Sequence, residues 1–119
     1  MIMRTLKIGI MSSAKFQKRM LDIASGRYKP KRGEPKVWFS SIKSLSEVLS
    51  DNNIRLLNLI ETHHPETLSE LSELSGRQNS NLSRTLKTME RYGIVKLIKK
   101  AKTVKPVAQA TEFTIQYAI

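Results

Sequence analysis

The stretch GRQNSNLSRTLKTMERYGIV, residues 76–95, decides how this chain is interpreted. Its apolar residues recur every three or four positions, a spacing that predicts an amphipathic helix with one buried side. The residues of that side are Leu82, Leu86 and Met89. The helix is predicted to begin near Asn79 or Ser80 and to end at Tyr92-Gly93.

The opposite side of this helix is polar at its start and cationic further on. At ~100° per residue, one face carries Ser80, Arg84, Lys87 and Arg91. Glu90 is the only carboxylate in the segment, although a solvated surface helix usually intersperses acidic and basic residues. The pattern therefore predicts a helix that packs one face into a core and presents the other face to DNA.

A second predicted helix precedes this one. Thr67 and Glu70 form a capping box at its start, and Gly76 can adopt the left-handed turn that ends it. Its inward residues are predicted to be Leu68, Leu71 and Leu74. In a helix–turn–helix the first helix braces the second in the major groove, and the short turn over 76–78 fits that arrangement.

The residue types of the turn and the following helix suit contact with a duplex. Asparagine and glutamine can pair with adenine edges and arginine with guanine, each good bidentate pair contributing ~1–3 kcal/mol of discrimination. The predicted DNA-binding residues here are Arg77, Gln78, Asn79, Ser80, Asn81, Ser83, Arg84 and Lys87. A surface helix with a long polar cap is the alternative interpretation.

A β-hairpin is predicted next, with strands over 94–100 and 107–119 joined by a basic turn over 101–106. One face of its second strand is predicted to carry Phe113, Ile115, Tyr117 and Ile119. The tip holds four further predicted DNA-binding residues, Lys99, Lys100, Lys102 and Lys105. Lysines at such a place can alternatively protect a strand edge from aggregation.

The remaining elements are predicted from shorter patterns. A helix capped by Asp51 and ended by Pro65 has an apolar stripe of Ile54, Leu56, Leu57, Leu59 and Ile60. Upstream, the sequence predicts a strand over 3–10, a helix from Ser12 or Ser13 to Gly26, a basic loop over 27–36, an extended segment over 37–41 and a helix over 42–49. The basic loop is suited either to DNA backbone or to an acidic protein.

The charge of the chain is large and unevenly distributed. Lysine and arginine number 21 against 10 acidic residues, which gives a net charge of +11. Residues 1–50 hold eleven basic and three acidic residues, residues 51–76 one and five, and residues 77–119 nine and two. Two basic blocks around an acidic one predict an oriented electrostatic footprint, and nucleic acid is favoured as its partner over an acidic protein or an anionic membrane.

Several classes of site are disfavoured by the sequence. Cysteine is absent, which excludes disulfides and thiolate zinc sites and fits a reducing cytoplasm. No run approaches the ~18 apolar residues that cross a bilayer. His63 and His64 point ~100° apart without a third ligand nearby, and Ser80 and Ser83 lack a catalytic base. We therefore expect a cytoplasmic protein with no cofactor, no metal, no membrane partner and no enzymatic activity.

Residues 68–95 follow a known family pattern through Leu71, Gly76, Leu82, Ser83, Arg84, Leu86, Met89, Glu90, Gly93 and Val95. On this basis residues 52–119 resemble the winged helix–turn–helix domain of MarR-like and ArsR-like transcriptional regulators. The resemblance implies that Ser80, Ser83, Arg84 and Lys87 lie at the DNA. The whole chain is also similar to a group of small DNA-binding proteins, several of them antitoxins. The metal ligands of ArsR-like sensors and the long flanking helices of MarR-like dimers are absent.

The combined expectation is an α+β fold. Residues 42–119 form a winged helix–turn–helix with a three-helix core and a C-terminal hairpin, and residues 1–41 form a small β-α-β segment for dimerisation or partner binding. The predicted function is a sequence-specific regulator that binds double-stranded DNA, acting as a homodimeric (auto)repressor. The alternatives are an antitoxin that neutralises a cognate toxin by direct binding, and a protein-interaction winged helix that does not bind DNA.

Overall fold

A computed structural model describes residues 4–119, which fold into a mixed α/β structure with five helices and two small sheets. The helices are α1 (Ser13–Ala24), α2 (Ile42–Val48), α3 (Asp51–His63), α4 (Leu68–Ser75) and α5 (Asn79–Arg91). The strands are β1 (Thr5–Ile10), β2 (Val37–Phe39), β3 (Val95–Lys99), β4 (Val104–Ala108) and β5 (Glu112–Tyr117). Met3, with which the first strand was expected to begin, lies outside the described residues.

Serine hydroxyls set the starts of three upstream helices, and in α2 the Oγ of Ser41 accepts from the N–H of Ser44 at 3.1 Å. Ser12 caps α1, where its Oγ accepts a hydrogen bond from the N–H of Lys15 at 3.3 Å. Ser50 caps α3 through the N–H of Asn53 at 3.2 Å, so the prediction of Asp51 as the cap is wrong. Asp51 is instead the first residue of α3, where its negative charge lies near the positive end of the helix dipole.

The first sheet has the order β2-β1-β5, and both pairs of strands are parallel. Helix α1 is the crossover that parallel β1 and β2 require. Ile8 and Ile10 of β1 form a buried cluster with Phe39 of β2 and Leu45 of α2. The predicted division of the chain after residue 41 stays a prediction, but β5 comes from the second part and completes the sheet of the first.

The prediction of a single hairpin strand over 107–119 is wrong, because this stretch forms two strands. Strand β4 pairs antiparallel with β3, whereas β5 leaves the hairpin and pairs with β1. Arg4 stabilises the break, since its guanidinium donates to the carbonyl oxygens of Ala108 and Gln109 at 2.8 and 3.1 Å. The N–H of Arg4 also donates to Oγ1 of Thr111 at 2.9 Å.

The hairpin β3–β4 has a tighter turn than the predicted basic turn over 101–106. Lys100 and Thr103 exchange two backbone hydrogen bonds, at 2.8 and 3.2 Å. Residues 104–106 therefore belong to β4 rather than to the turn.

A larger buried cluster joins α3, α4, α5 and the hairpin. Its members are Leu56, Leu57, Ile60, Leu71, Leu82, Leu86, Met89, Ile94, Val95 and Ala108. The predictions of Ile54 and Leu74 as inward residues are wrong, because their side chains are 41% and 42% exposed. Both lie beside open grooves, where α3 and α4 turn away from the cluster.

Helix α1 has no buried residue, and the guanidinium of Arg19 connects it to the first sheet. The guanidinium carbon of Arg19 lies 5.2 Å from the ring centroids of both Tyr28 and Trp38. Arg19 also forms a 2.7 Å salt bridge with Glu34. Gly9 leaves the space for Trp38, since a Cβ at this position would lie 2.2 Å from the indole. Trp38 is therefore a packing residue between α1 and the first sheet.

Candidate nucleic-acid interface

The caps of α4 fix where α5 begins. Oγ1 of Thr67 accepts a hydrogen bond from the N–H of Glu70 at 3.1 Å, as the capping box requires. The Glu70 carboxylate accepts from the N–H of Glu66, at 2.8 Å, one residue earlier than the reciprocal bond of a capping box. Gly76 ends α4 with a left-handed φ of 72°, so the chain turns sharply and α5 starts at Asn79.

Arg77, in the turn between α4 and α5, holds the start of α5 against α3. It is half-buried, and three of its nitrogens donate to side-chain oxygens. Nε donates to Oδ1 of Asn81 at 2.7 Å, Nη1 to Oδ1 of Asn53 at 3.1 Å, and Nη2 to Oγ1 of Thr85 at 2.9 Å. A guanidinium used in this way orients the first two turns of α5. Sequence reasoning missed Asn53, because nothing in its spacing marks it as a partner of Arg77.

The polar and cationic face predicted for α5 lies in solvent. Its exposed residues are Asn79, Ser80, Asn81, Arg84, Lys87 and Arg91, and Gln78 just before the helix is exposed as well. Ser83 is half-buried at the margin of this face. Leu82, Leu86 and Met89 on the other side are fully buried, so the helix cannot rotate without exposing its core residues.

Glu90, the carboxylate nearest to these cations in sequence, is turned away from them. Its Oε2 accepts a hydrogen bond from the N–H of Leu97 in β3 at 3.0 Å, which joins α5 to the hairpin. No ion pair formed within residues 4–119 involves Arg84, Lys87 or Arg91. The positive charge of this face is therefore not neutralised by a salt bridge with any described residue.

An open groove of about 780 Å³ lies beside the start of α5. It runs between α3 and the turn, and its polar lining includes Asn52, Arg55, Gln78 and Asn81. Sequence reasoning missed Asn52 and Arg55, although Arg55 is the only basic residue in the acidic block over 51–76. Their side chains hydrogen-bond to each other at the edge of this groove.

The four predicted lysines of the hairpin fall into two pairs. Lys100 and Lys105 form salt bridges with the two carboxylate oxygens of Glu66, at 3.3 and 3.1 Å. The hydrogen bond from Lys105 and then that from Lys100 lower the pKa of the Glu66 carboxyl. Lys99 and Lys102 are exposed and form no salt bridge with any described residue.

The part of the chain that the structure describes contains no group of three side chains arranged to hold a metal ion. His63 and His64 lie at the end of α3, where His64 is the left-handed cap residue. None of the helices within residues 4–119 is long and apolar enough to span a bilayer.

The family match and the structural similarity each cover part of the chain. No curated protein matches it. Among solved structures it is similar to one described as "Crystal structure of the predicted DNA-binding transcriptional regulator from E. coli", with 15% identity and a TM-score of 0.48 over 84% of this chain and 86% of that chain. The model of the family HVO_A0114 matches residues 48–115, more than half of the chain, from the end of α2 into β5. The protein therefore belongs to the HVO_A0114 family.

Proposed function

We propose that this protein is a transcriptional regulator that binds double-stranded DNA in a sequence-specific manner. Helix α5 lies in the major groove and the hairpin acts as the wing of a winged helix–turn–helix. The observation that carries the proposal is the exposed face of α5, where Arg84, Lys87 and Arg91 have no acidic partner among residues 4–119. Cations held unpaired on a rigid helix are suited to a polyanion.

The two ends of α5 take different roles in this proposal. Short polar residues at its start let the backbone approach base edges, and Gln78, Asn79 and Ser80 are exposed there. The amide nitrogen of Asn81 is available to donate to a base, while its Oδ1 accepts a hydrogen bond from Arg77. Further along, Arg84 pairs with a guanine edge, Lys87 and Arg91 contact phosphates, and Lys99 and Lys102 of the hairpin reach the neighbouring backbone.

The regulator acts as a homodimeric repressor of the MarR-like and ArsR-like winged-helix kind, in the cytoplasm. A dimer of such domains reads two half-sites about one helical turn apart. The net charge of +11 supports association with DNA, since each phosphate neutralised adds about −0.9 to the slope of log affinity against log salt concentration.

The test is a fluorescence anisotropy titration on DNA from the region upstream of the gene, with a scrambled duplex alongside at two salt concentrations. Arg84→Ala and Lys87→Ala are compared with Lys18→Ala, which removes a charge from an exposed position of α1. We expect about tenfold weaker binding for Arg84→Ala. We expect a salt slope about 0.9 shallower for Lys87→Ala and no change for Lys18→Ala.

Equal affinity for both duplexes, with the same loss in all three variants, would contradict sequence-specific reading by α5. Absence of binding to either duplex would favour the interpretation of a protein-interaction module. Within that interpretation, the predicted antitoxin role requires that the purified product of the adjacent gene form a complex with this protein.

A further inference from the structure

Strand β5 has a free edge. It pairs with β1 on one side, and within residues 4–119 no strand pairs with its other side. A free edge carries a row of backbone donors and acceptors that can bind another strand.

The hydrogen bonds to β1 show which residues of β5 point outward. The N–H of Glu112 donates to the carbonyl oxygen of Arg4 at 3.1 Å, and the N–H of Ala118 donates to that of Ile10 at 2.9 Å. In a parallel pair, every second residue of a strand bonds to the neighbouring strand. The backbone groups of the residues between them therefore point to the free edge, and these residues are Phe113, Ile115 and Tyr117.

The side chains of the same three residues lie on the face of the sheet that carries Ile8 and Ile10. Ile8 and Ile10 are at most 1% exposed, whereas Ile115 and Tyr117 are 52% and 55% exposed. The apolar layer of the core therefore continues to the edge of the sheet and ends there in solvent. A partner strand would extend this layer.

The free edge lacks the charges that normally protect such an edge. Lysines on an edge strand commonly prevent it from pairing with another chain, and strand β3 of the hairpin carries the exposed lysines Lys96 and Lys99. The chain has 21 basic residues, but none of them lies in 106–119. Two copies of a chain with net charge +11 can approach each other here without placing like charges in direct opposition.

We propose that β5 pairs antiparallel with β5 of a second copy of this chain, with Ile115 opposite the partner's Ile115. In this register Phe113 lies opposite the partner's Tyr117. Phe113, Ile115 and Tyr117 then form three hydrogen-bonded pairs across the two strands, and in each pair the two residues exchange both backbone hydrogen bonds. The two rings form a cross-strand aromatic pair on the apolar face. Glu112, the charged residue of β5, lies opposite the partner's Ala118. The joined sheet has six strands in the order β2-β1-β5-β5-β1-β2.

A groove at the start of β5 supports this register. It has a volume of about 390 Å³, and its lining includes Ile54, Leu57 and Phe113. In the antiparallel pair the end of one β5 lies beside the start of the other, which brings the partner's Tyr117 and Ile119 to this groove. Ile54, which is 41% exposed in the single chain, is covered in the dimer.

The pairing also bears on how DNA is read, and in that part it rests on the proposed function. A two-fold axis through the pair of Ile115 residues is perpendicular to the sheet, so both copies carry α3, α4 and α5 on the same side. Two α5 helices related in this way read a palindromic site. The pairing itself requires no DNA, and it is therefore tested without DNA.

The test measures association of the purified full chain by sedimentation velocity and by cysteine cross-linking. Ile115→Lys and Tyr117→Lys introduce charge at the edge, and Ile98→Lys is the matched control because Ile98 is a 38% exposed strand residue of the hairpin. The chain has no cysteine, so Ile115→Cys can cross-link only with a second copy. Opposed residues of an antiparallel hydrogen-bonded pair have Cα atoms ~5.5 Å apart, which a disulfide can bridge.

We expect a dimer for the native chain and for Ile98→Lys. We expect monomers of 13.6 kDa for the two β5 variants, with thermal unfolding as cooperative as that of the native chain. Mild oxidation should cross-link Ile115→Cys, but not Ile98→Cys. A monomeric native chain would overturn the proposal. A dimer that survives both β5 substitutions, with no cross-link at position 115, would overturn it as well. A monomeric native chain would also remove the homodimer from the proposed function, but neither result would affect DNA binding by a single α5, so the DNA titration distinguishes the two failures.

Discussion

The carboxylate of Glu66 holds the ammonium group of Lys105 at 3.1 Å, joining the loop after α3 to the hairpin. Its other oxygen holds Lys100 at 3.3 Å. These two hydrogen bonds lower the pKa of Glu66, with Lys105 contributing most, so the carboxylate is charged at neutral pH. Half of the predicted hairpin contacts are thus neutralised by the protein itself, and DNA phosphates must compete with Glu66 for them.

Replacing this carboxylate should strengthen DNA binding. In Glu66→Gln both lysines are released to phosphates, and we expect a two- to fivefold gain, roughly the effect of one exposed ion pair. The measurement is an anisotropy titration at ~150 mM salt, where interactions between exposed charges are already substantially screened. Glu73→Gln is the matched control, since it makes the same change of charge at an exposed position of α4. Equal gains in the two variants would mean that only net charge matters.

Arg77 should act through position rather than through charge. Arg77→Lys keeps the positive charge but cannot donate to Asn53, Asn81 and Thr85 together, so the free energy of unfolding should fall by about 1–2 kcal/mol. DNA affinity should fall with it, because the start of α5 loses its anchor. Arg84→Lys is the comparison, and urea unfolding should show no loss of stability for it. A fully stable Arg77→Lys protein would show that the three hydrogen bonds contribute little.

The helices could be predicted from the sequence because their signals are local. Ser12, one of the two serines predicted to begin α1, and Thr67 cap their helices, and α5 runs over the predicted residues. Each signal needs only a hydroxyl a few residues before an amphipathic pattern. The buried side of α5 was predicted equally well, since its three apolar residues share one face.

The pairing of β5 and the network of Arg77 could not be predicted in this way. Strand β5 pairs with β1, which lies about a hundred residues away in sequence, and alternation of apolar residues does not specify a partner strand. The break at the end of β4 depends on Arg4, which is equally distant. Arg77 has the sequence position of a phosphate contact, and its bonds to α3 follow only from the packing of helices.

Gly9 should not tolerate a methyl group. A Cβ in Gly9→Ala would lie 2.2 Å from Trp38, so the indole must move away from Arg19. We expect a loss of about 1–3 kcal/mol in the free energy of unfolding, the usual cost of overpacking. The measurement is thermal unfolding followed by circular dichroism. In a Trp38→Leu background the same Gly9→Ala change should cost much less, and an unchanged cost would place the strain elsewhere in β1.

Glu34 should make the packing of α1 against the first sheet less stable in acid. The hydrogen bond from Tyr28, followed by that from Arg19, lowers the pKa of Glu34 below its ordinary value of 4.5. A carboxyl whose pKa is lower in the folded state contributes its full stability above the unfolded value and loses it as the pH falls through the folded value. Glu34→Gln should therefore lower the Tm at pH 7, and the difference from the native protein should shrink as the pH falls below 4.5. Tm values between pH 3 and 7, in steps of about 0.5, would measure this difference. A difference that stays constant across the range would show that the glutamate acts through its shape and not through its charge.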